Sequence, residues 1–291
     1  MLAPFPIVDA HQHFWDPRIN YHPWLCDQPP VPFRYGDYAA LRRPYLPADY
    51  LSDARPHQVA KTVYVETEWD PRDPIGEIRY AERLRHETGL PTVAVAQAWL
   101  DHADIGATLA ALARFDFVRG VRHKPRPGQM AEARWRSGFA QLSGRGLRFD
   151  LQAPWTQLAE AAQLARDFPD ARIVLNHTGL PADRSRAGIA DWKRALQAFA
   201  ASPNTALKVS GLGVPGQAWT AQANREIVLA AIGIFGVERS MFASNFPVDG
   251  LCASFDAIVT GMRDIVRDFR VDEQRAFFHD NAIRIYDMER T

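Results

Sequence analysis

The sequence predicts an α/β protein folded as a single-domain (β/α)8 TIM barrel. Three observations carry that prediction: eight short strand-like runs, amphipathic helical stretches between them, and a length of 291 residues, which suits one such barrel. The runs are Ile7–His13, Thr62–Glu66, Thr92–Gln97, Val118–His123, Arg148–Gln152, Arg172–His177, Ala206–Ser210 and Met241–Ser244. Their ends lie 25 to 53 positions apart, which leaves room for one helix and two loops between successive strands.

The intervening stretches read as helices. In 74–88, Ile78, Ala81 and Leu84 fall on one side, Arg79, Arg83 and Glu87 on the other, and Gly89 ends the run. Segments 155–168 and 221–235 share that periodicity, and Gly236 follows the second. Regular βα alternation argues for a parallel sheet, and eight repeats favour closure. A doubly wound open sheet is the competitor, but no glycine-rich phosphate loop follows the first strand. The domain is expected to span 1–291. Residues 14–46, rich in proline and aromatics, form a long loop expected over the barrel mouth. Val271–Met288 reads as one last helix covering the barrel.

Composition narrows the function. The 34 basic and 34 acidic residues cancel, which argues against a generic polyanion-binding surface and so against nucleic acid as a partner. Cys26 and Cys252 make no disulfide framework. The first residues lack a basic stretch and long apolar region, and no apolar run reaches the roughly 20 residues needed to span a bilayer. The expectation is a cytoplasmic protein with a small-molecule partner and no membrane, a homodimer being left open.

His11 and His13 are two apart on the first strand, so both side chains project from one face and both can point into the barrel. Asp9 is expected on that face too, one layer deeper. Two adjacent imidazoles form half of a metal site, although such pairs also occur as plain packing or surface histidines.

The run Val8-Asp9-Ala10-His11-Gln12-His13-Phe14-Trp15-Asp16-Pro17 resembles the opening of the amidohydrolase superfamily. More narrowly it resembles the branch with fuconolactonase, sulfomuconolactone hydrolase and pyrone-dicarboxylate lactonase. Tyr21-His22-Pro23-Trp24-Leu25, Gly120-Val121-Arg122-His123, Asn176-His177-Thr178-Gly179 and His279-Asp280-Asn281-Ala282 match that branch in kind and order. The ordered set spans essentially the whole chain and is more specific than any one motif. It implies a barrel hydrolase that opens a lactone of a small sugar acid or dicarboxylate.

The resemblance gives His177, in phase with Ile173 and Leu175, a role in holding metal or substrate; the plain alternative is a hydrogen-bonded core histidine. It also suggests that Arg122 or His123 holds the substrate carbonyl or carboxylate, for which a planar guanidinium is suited. Lys124 and Arg126 read equally as a solvated rim. Glu66, with Glu68 two residues on, could bind metal, orient a histidine or take a proton, or could pair with Arg122 as scaffolding. Lys208 shares a face with Ser210; pointing inward it needs a carboxylate or an anionic ligand, pointing outward it is unremarkable. Trp24 belongs to a loop able to shape an apolar or sugar-binding lid.

The eighth strand breaks the family pattern. Asn245 stands where the resemblance leads one to expect an aspartate, and an amide is no general base near neutral pH. The fifth strand ends in Gln152, which argues against a binuclear centre. Three routes stay open: one divalent metal, zinc or manganese, on His11, His13 and His177; Asp249 returning as base; or a metal-independent site in which His123 or Glu66 takes the proton. Asn245 would orient the water. A metal-dependent decarboxylase and a non-catalytic small-molecule-binding barrel are the competing functions, separated by carbon dioxide release and by absence of turnover.

Overall fold

The computed structural model describes residues 5–290. All eight expected strands are present: β1 Ile7–Gln12, β2 Val59–Val65, β3 Val93–Gln97, β4 Val118–His123, β5 Arg148–Leu151, β6 Ile173–Leu175, β7 Thr205–Val209 and β8 Ser240–Phe242. Each pairs in parallel with its sequence neighbour. The chain just beyond β8 closes the ring, where Asn245 N–H donates to the His11 carbonyl and His13 N–H to that of Phe246, both at 2.8 Å. The fold is a (β/α)8 barrel.

Alternation along each strand divides the apolar residues into two layers. Phe149, Leu151, Ile173, Leu175, Leu207, Val209 and Phe242 face the helical shell. Val8, Ala10, Val63, Val65, Val93, Val95, Val174, Ala206, Met241 and Ala243 fill the interior together with Ile285, Tyr286 and Met288. The helices Gly76–Thr88 and Ala221–Phe235 end as expected, the first on left-handed Gly89. Among the described residues no helix is long and apolar enough to cross a membrane.

The last segment is not the single helix expected over Val271–Met288. It runs as an α-helix Val271–Arg275, a π turn Ala276–Asp280 and an α-helix Asn281–Tyr286, and Asp287 then turns left-handed at φ 51°. The wide turn buries the consecutive Phe277 and Phe278, which regular helical spacing would point in different directions. Beyond it, Lys61 of β2 donates to the Met288 carbonyl and Arg148 of β5 to that of Ile285. Both lie near the starts of their strands, so this segment plugs the end of the barrel opposite the histidines.

Within the loop 14–46, Trp15, Trp24, Phe33 and Arg34 line a cavity together with His13, His177 and Asn245. Main-chain hydrogen bonds between Trp15 and Tyr45 pin the base of the loop. The Trp24 indole donates to the Thr67 carbonyl at 2.8 Å and stacks on Phe33, rings 5.9 Å apart and 6° from parallel.

Candidate active site

The site residues sit where the strands run out into loops, the end at which barrel enzymes place their chemistry. His11 and His13 point into the barrel with Nε2 atoms 3.2 Å apart, but simple alternation is not the reason. Asp9 pairs with Thr62 and Gln12 with Tyr64, so three steps along β1 oppose two along β2. This β-bulge resets the side-chain phase. The expectation that Asp9 shares the histidine face is therefore corrected: its carboxylate turns toward the helical shell, accepting from Tyr50 Oη at 2.8 Å and Ser244 Oγ at 2.6 Å.

His177 also reaches the site by an irregularity. Ile173 and Leu175 face the helices, so a continued strand would carry His177 outward with them. Instead the backbone enters the left-handed region at His177 (φ 54°) and Thr178 (φ 57°). The imidazole lands 4.6 Å from that of His11, centre to centre, with Nδ1 3.0 Å from Ser210 Oγ. Glu68, Leu180 and Asn245 are also left-handed. Strained backbone thus concentrates at the mouth, as it does at functional sites.

Hydrogen bonding fixes which atoms face the cavity. His13 lies 2.8 Å from the Val65 carbonyl through Nδ1, which must be the donor, so Nε2 presents a lone pair. Asn245 donates its amide N–H to Asp249 at 2.6 Å, which leaves Oδ1 facing His13 Nε2 at 3.3 Å. Asp249 accepts further from Tyr35 Oη and the Gly211 amide, at 2.8 and 3.0 Å. It is buried and held by donors, so the role the structure gives it is to orient Asn245 rather than to swing back as base. Gly211 permits this approach: at φ +66° a Cβ there would lie 2.6 Å from that of His177.

Burial is the main force on the three imidazoles. It pushes His13 down to about 3, with Arg122 adding to the effect, and holds His11 and His177 well below the ordinary range, helped by Lys208 and Arg34 respectively. All three are neutral, the form a metal takes. His11 Nδ1 is buried without a hydrogen-bond partner.

His11 and His13 are spaced as two ligands of one divalent ion would be. Two nitrogens bonded at about 2.1 Å to a tetrahedral ion lie about 3.4 Å apart, close to the observed separation. Among the described residues no group of three or more His, Cys, Asp or Glu is placed to hold a metal. The expected set of His11, His13 and His177 is therefore not assembled as a ligand group; Asn245 Oδ1, 3.3 Å from His13 Nε2, is the further donor beside the pair.

The neighbouring charges are paired. Arg122 donates Nε–H to Glu66 Oε1 at 2.5 Å and Nη1–H to Gln152 at 2.9 Å. Burial raises the Glu66 carboxyl, but Arg122 and Lys124 outweigh it and the net shift is downward. Of the two expectations for Glu66, the observed one is scaffolding with Arg122. Lys208 points inward and is fully buried, 2.6 Å from Asp150 Oδ2. It lies below the cavity and does not line it, a correction to its expected contact with substrate. Asp150 also accepts from Tyr286 Oη at 2.7 Å and Asn176 at 3.0 Å.

His123 is turned away from the histidine cluster, as neighbouring strand residues face opposite ways. Its Nδ1 accepts from Trp135 Nε1 at 3.1 Å and the Leu100 amide at 3.4 Å, and burial lowers it to about 4. A group neutral when folded and basic when unfolded destabilises as pH falls from its unfolded value near 6.5 toward 4. His123→Asn retains an acceptor without the titration. It is expected to reduce the stability lost between pH 7 and 5 by about 1–2 kcal/mol, read from urea unfolding at both pH values. An unchanged loss would mean that His123 titrates alike folded and unfolded.

Above the histidines lies a cavity of about 310 Å³. His13, His177, Asn245, Arg122 and Gln152 form its floor and sides, and Trp15, Trp24, Phe33 and Arg34 of the long loop close over it. Arg34 reaches Asp249 with Nη2 at 3.4 Å and keeps a buried Nη1 without a partner.

The amidohydrolase family profile matches residues 8–288. The chain belongs to that family. This amidohydrolase is 38% identical over 299 aligned residues to an uncharacterised protein, y4mH, of Sinorhizobium fredii, covering 98% of this chain and 99% of the other. It is 27% identical over 269 residues to an L-fucono-1,5-lactonase of Burkholderia multivorans, covering 87% and 86% of the two chains. A Burkholderia multivorans amidohydrolase solved with bound zinc superposes with TM-score 0.82 at 24% identity, covering 97% of this chain and 99% of that one.

Within this amidohydrolase the structure joins His11, His13, His177 and Asn245 at one floor. Trp24 and Arg122 join them in the cavity wall, while His123 and Lys208 stand apart. Sequence reasoning missed Arg34, Asp150 and Ser210. Arg34 carried one available signal, a lone cation between Phe33 and Tyr35 in an aromatic loop; the partners of Asp150 and Ser210 lie on other strands and left none.

Proposed function

We propose that this enzyme hydrolyses the ester bond of a lactone of a small sugar acid or dicarboxylate. The observation that carries the reading is the convergence of His11, His13 and Asn245 beneath a cavity edged by cations. Resemblance to a fuconolactonase along most of both chains supports it.

The residues divide the work. Asn245 Oδ1, locked by Asp249, and His13 Nε2 accept hydrogen bonds from a water and hold it against the cavity floor. The unpartnered Nη1–H of Arg34 donates to the substrate carbonyl or carboxylate. As water adds, His13 Nε2 receives its proton and passes it to the ring oxygen as the C–O bond breaks, giving the hydroxy acid and restoring the neutral imidazole. The loop over the mouth shields the carbonyl from bulk water. Were a divalent ion held by His11, His13 and Asn245, it would polarise the carbonyl and make water more acidic, and the His13 lone pair would then hold the ion in place of the proton.

Acid release measured by pH indicator on a panel of aldono- and dicarboxylate lactones tests the reading, before and after chelation and with carbon dioxide followed in parallel. Ring opening without carbon dioxide is expected. Carbon dioxide release would replace the reading with decarboxylation, and tight binding without turnover would replace it with a binding barrel.

Asn245→Asp sharpens the test. The new carboxylate would face Asp249 where an N–H donates at 2.6 Å, and two buried carboxylates that close cannot both ionise. The expected outcome is a fall in kcat/KM of about tenfold or more, with about 1–3 kcal/mol lost in stability. A rise in rate would show that the asparagine merely replaces a base.

A further inference from the structure

A second cavity, about 440 Å³, adjoins the first and has no part in the chemistry above. Glu68, Arg122 and Lys124 line both, so the Glu68–Lys124 ion pair stands in the wall between them. That pair is exposed, 45% and 37% at the two side chains, and exposed pairs hold little energy. A substrate spanning both cavities can therefore part it. Glu68 is itself left-handed, at φ 55°, which places its side chain at this boundary.

The second cavity has its own recognition chemistry. Trp99 stacks with His102, ring centres 5.1 Å apart and 22° from parallel, and presents an aromatic wall. Gln97 at the end of β3 carries a buried amide oxygen with no hydrogen-bond partner. Asp101 accepts from Gln129 at 2.9 Å through one oxygen, and among the described residues no bond is made to the other. Bare acceptors beside an aromatic face suit a ligand with an apolar ring face and hydroxyl donors at its edge. A pyranose has that pattern.

We infer that the second cavity is a subsite for a glycosyl group, so that the substrate is a lactone bearing a second sugar ring. This rests on the lactonase reading for the first ring only. The reacting carbonyl stays over His13 and Asn245, and the glycosyl group extends past Glu68 and Lys124 onto Trp99.

Binding and turnover are measured separately on the full chain. Calorimetric titration compares gluconate with three glycosylated gluconates: lactobionate, maltobionate and cellobionate. At least one is expected to bind about tenfold or more tighter than gluconate. Trp99→Ala should erase that gain while leaving gluconate binding within about twofold. Gln97→Leu, which keeps the aromatic wall, should cause the same selective loss, and circular dichroism checks that each variant folds. No gain for any of the three, or equal weakening of gluconate and its glycosylated forms in both variants, overturns the subsite. Acid release from the corresponding lactones then judges the chemistry. Selective binding without release would keep the subsite and remove the lactonase reading.

Discussion

His13→Ala is expected to lower kcat/KM at least about a thousandfold, some 4 kcal/mol of transition-state stabilisation. The imidazole is the one group that meets His11, Asn245 and the cavity at once, with Nε2 3.2 Å and 3.3 Å from the first two. On the reading proposed above, removing it takes away the proton acceptor. The fold should survive, because the main-chain bond to Phe246 is kept and the Val65 carbonyl that the side chain holds can be satisfied by water at the mouth; about 1–3 kcal/mol of stability is at stake. Steady-state kinetics with a circular-dichroism melt checks both parts. His123→Ala supplies the contrast, since its ring faces Trp135, and should leave turnover within about tenfold. A His13 variant that keeps turnover within tenfold would move the chemistry off this floor.

The second large effect is on stability. Lys208→Met leaves Asp150 buried with Tyr286 and Asn176 but without its cation, and breaking one side of a buried pair costs about 3–5 kcal/mol. At about 2 °C per kcal/mol for a chain of this size, the melting midpoint should fall by about 6–10 °C. Adding Asp150→Leu removes the stranded charge and should recover part of the loss, though Tyr286 and Asn176 then lose an acceptor. A single variant as stable as the parent would mean that Asp150 takes up a proton at little cost. The pair ties β5 and β7 to the closing segment, so the loss should appear as one cooperative transition rather than fraying of the C-terminal end.

The strands were readable in the sequence because each is a short apolar run bounded by turn residues, and a buried parallel strand gives that signal plainly. His11 and His13 were readable as a pair, and the ordered motifs pointed to the mouth. Phase was not readable wherever the chain departs from two-residue alternation. The bulge in β1 reversed the expectation for Asp9, and the left-handed turn at His177 brought in a side chain whose strand neighbours face outward. Lys208 was undecidable because its partner, Asp150, lies on another strand and contact across a barrel leaves no mark in linear spacing. The π turn at Ala276–Asp280 escaped for a similar reason: the residues on either side keep a helical pattern, and only the burial of Phe277 with Phe278 reveals the wider step.

The bulge in β1 also means that this active site is kept by parity. Deleting Ala10 would leave both histidines in the protein, yet would exchange the faces of the strand, turning the imidazoles toward the helices. The barrel could tolerate such a change better than the chemistry could. In a comparison of related chains, an alignment gap at this point would therefore signal a lost or rebuilt site even where both histidines are retained.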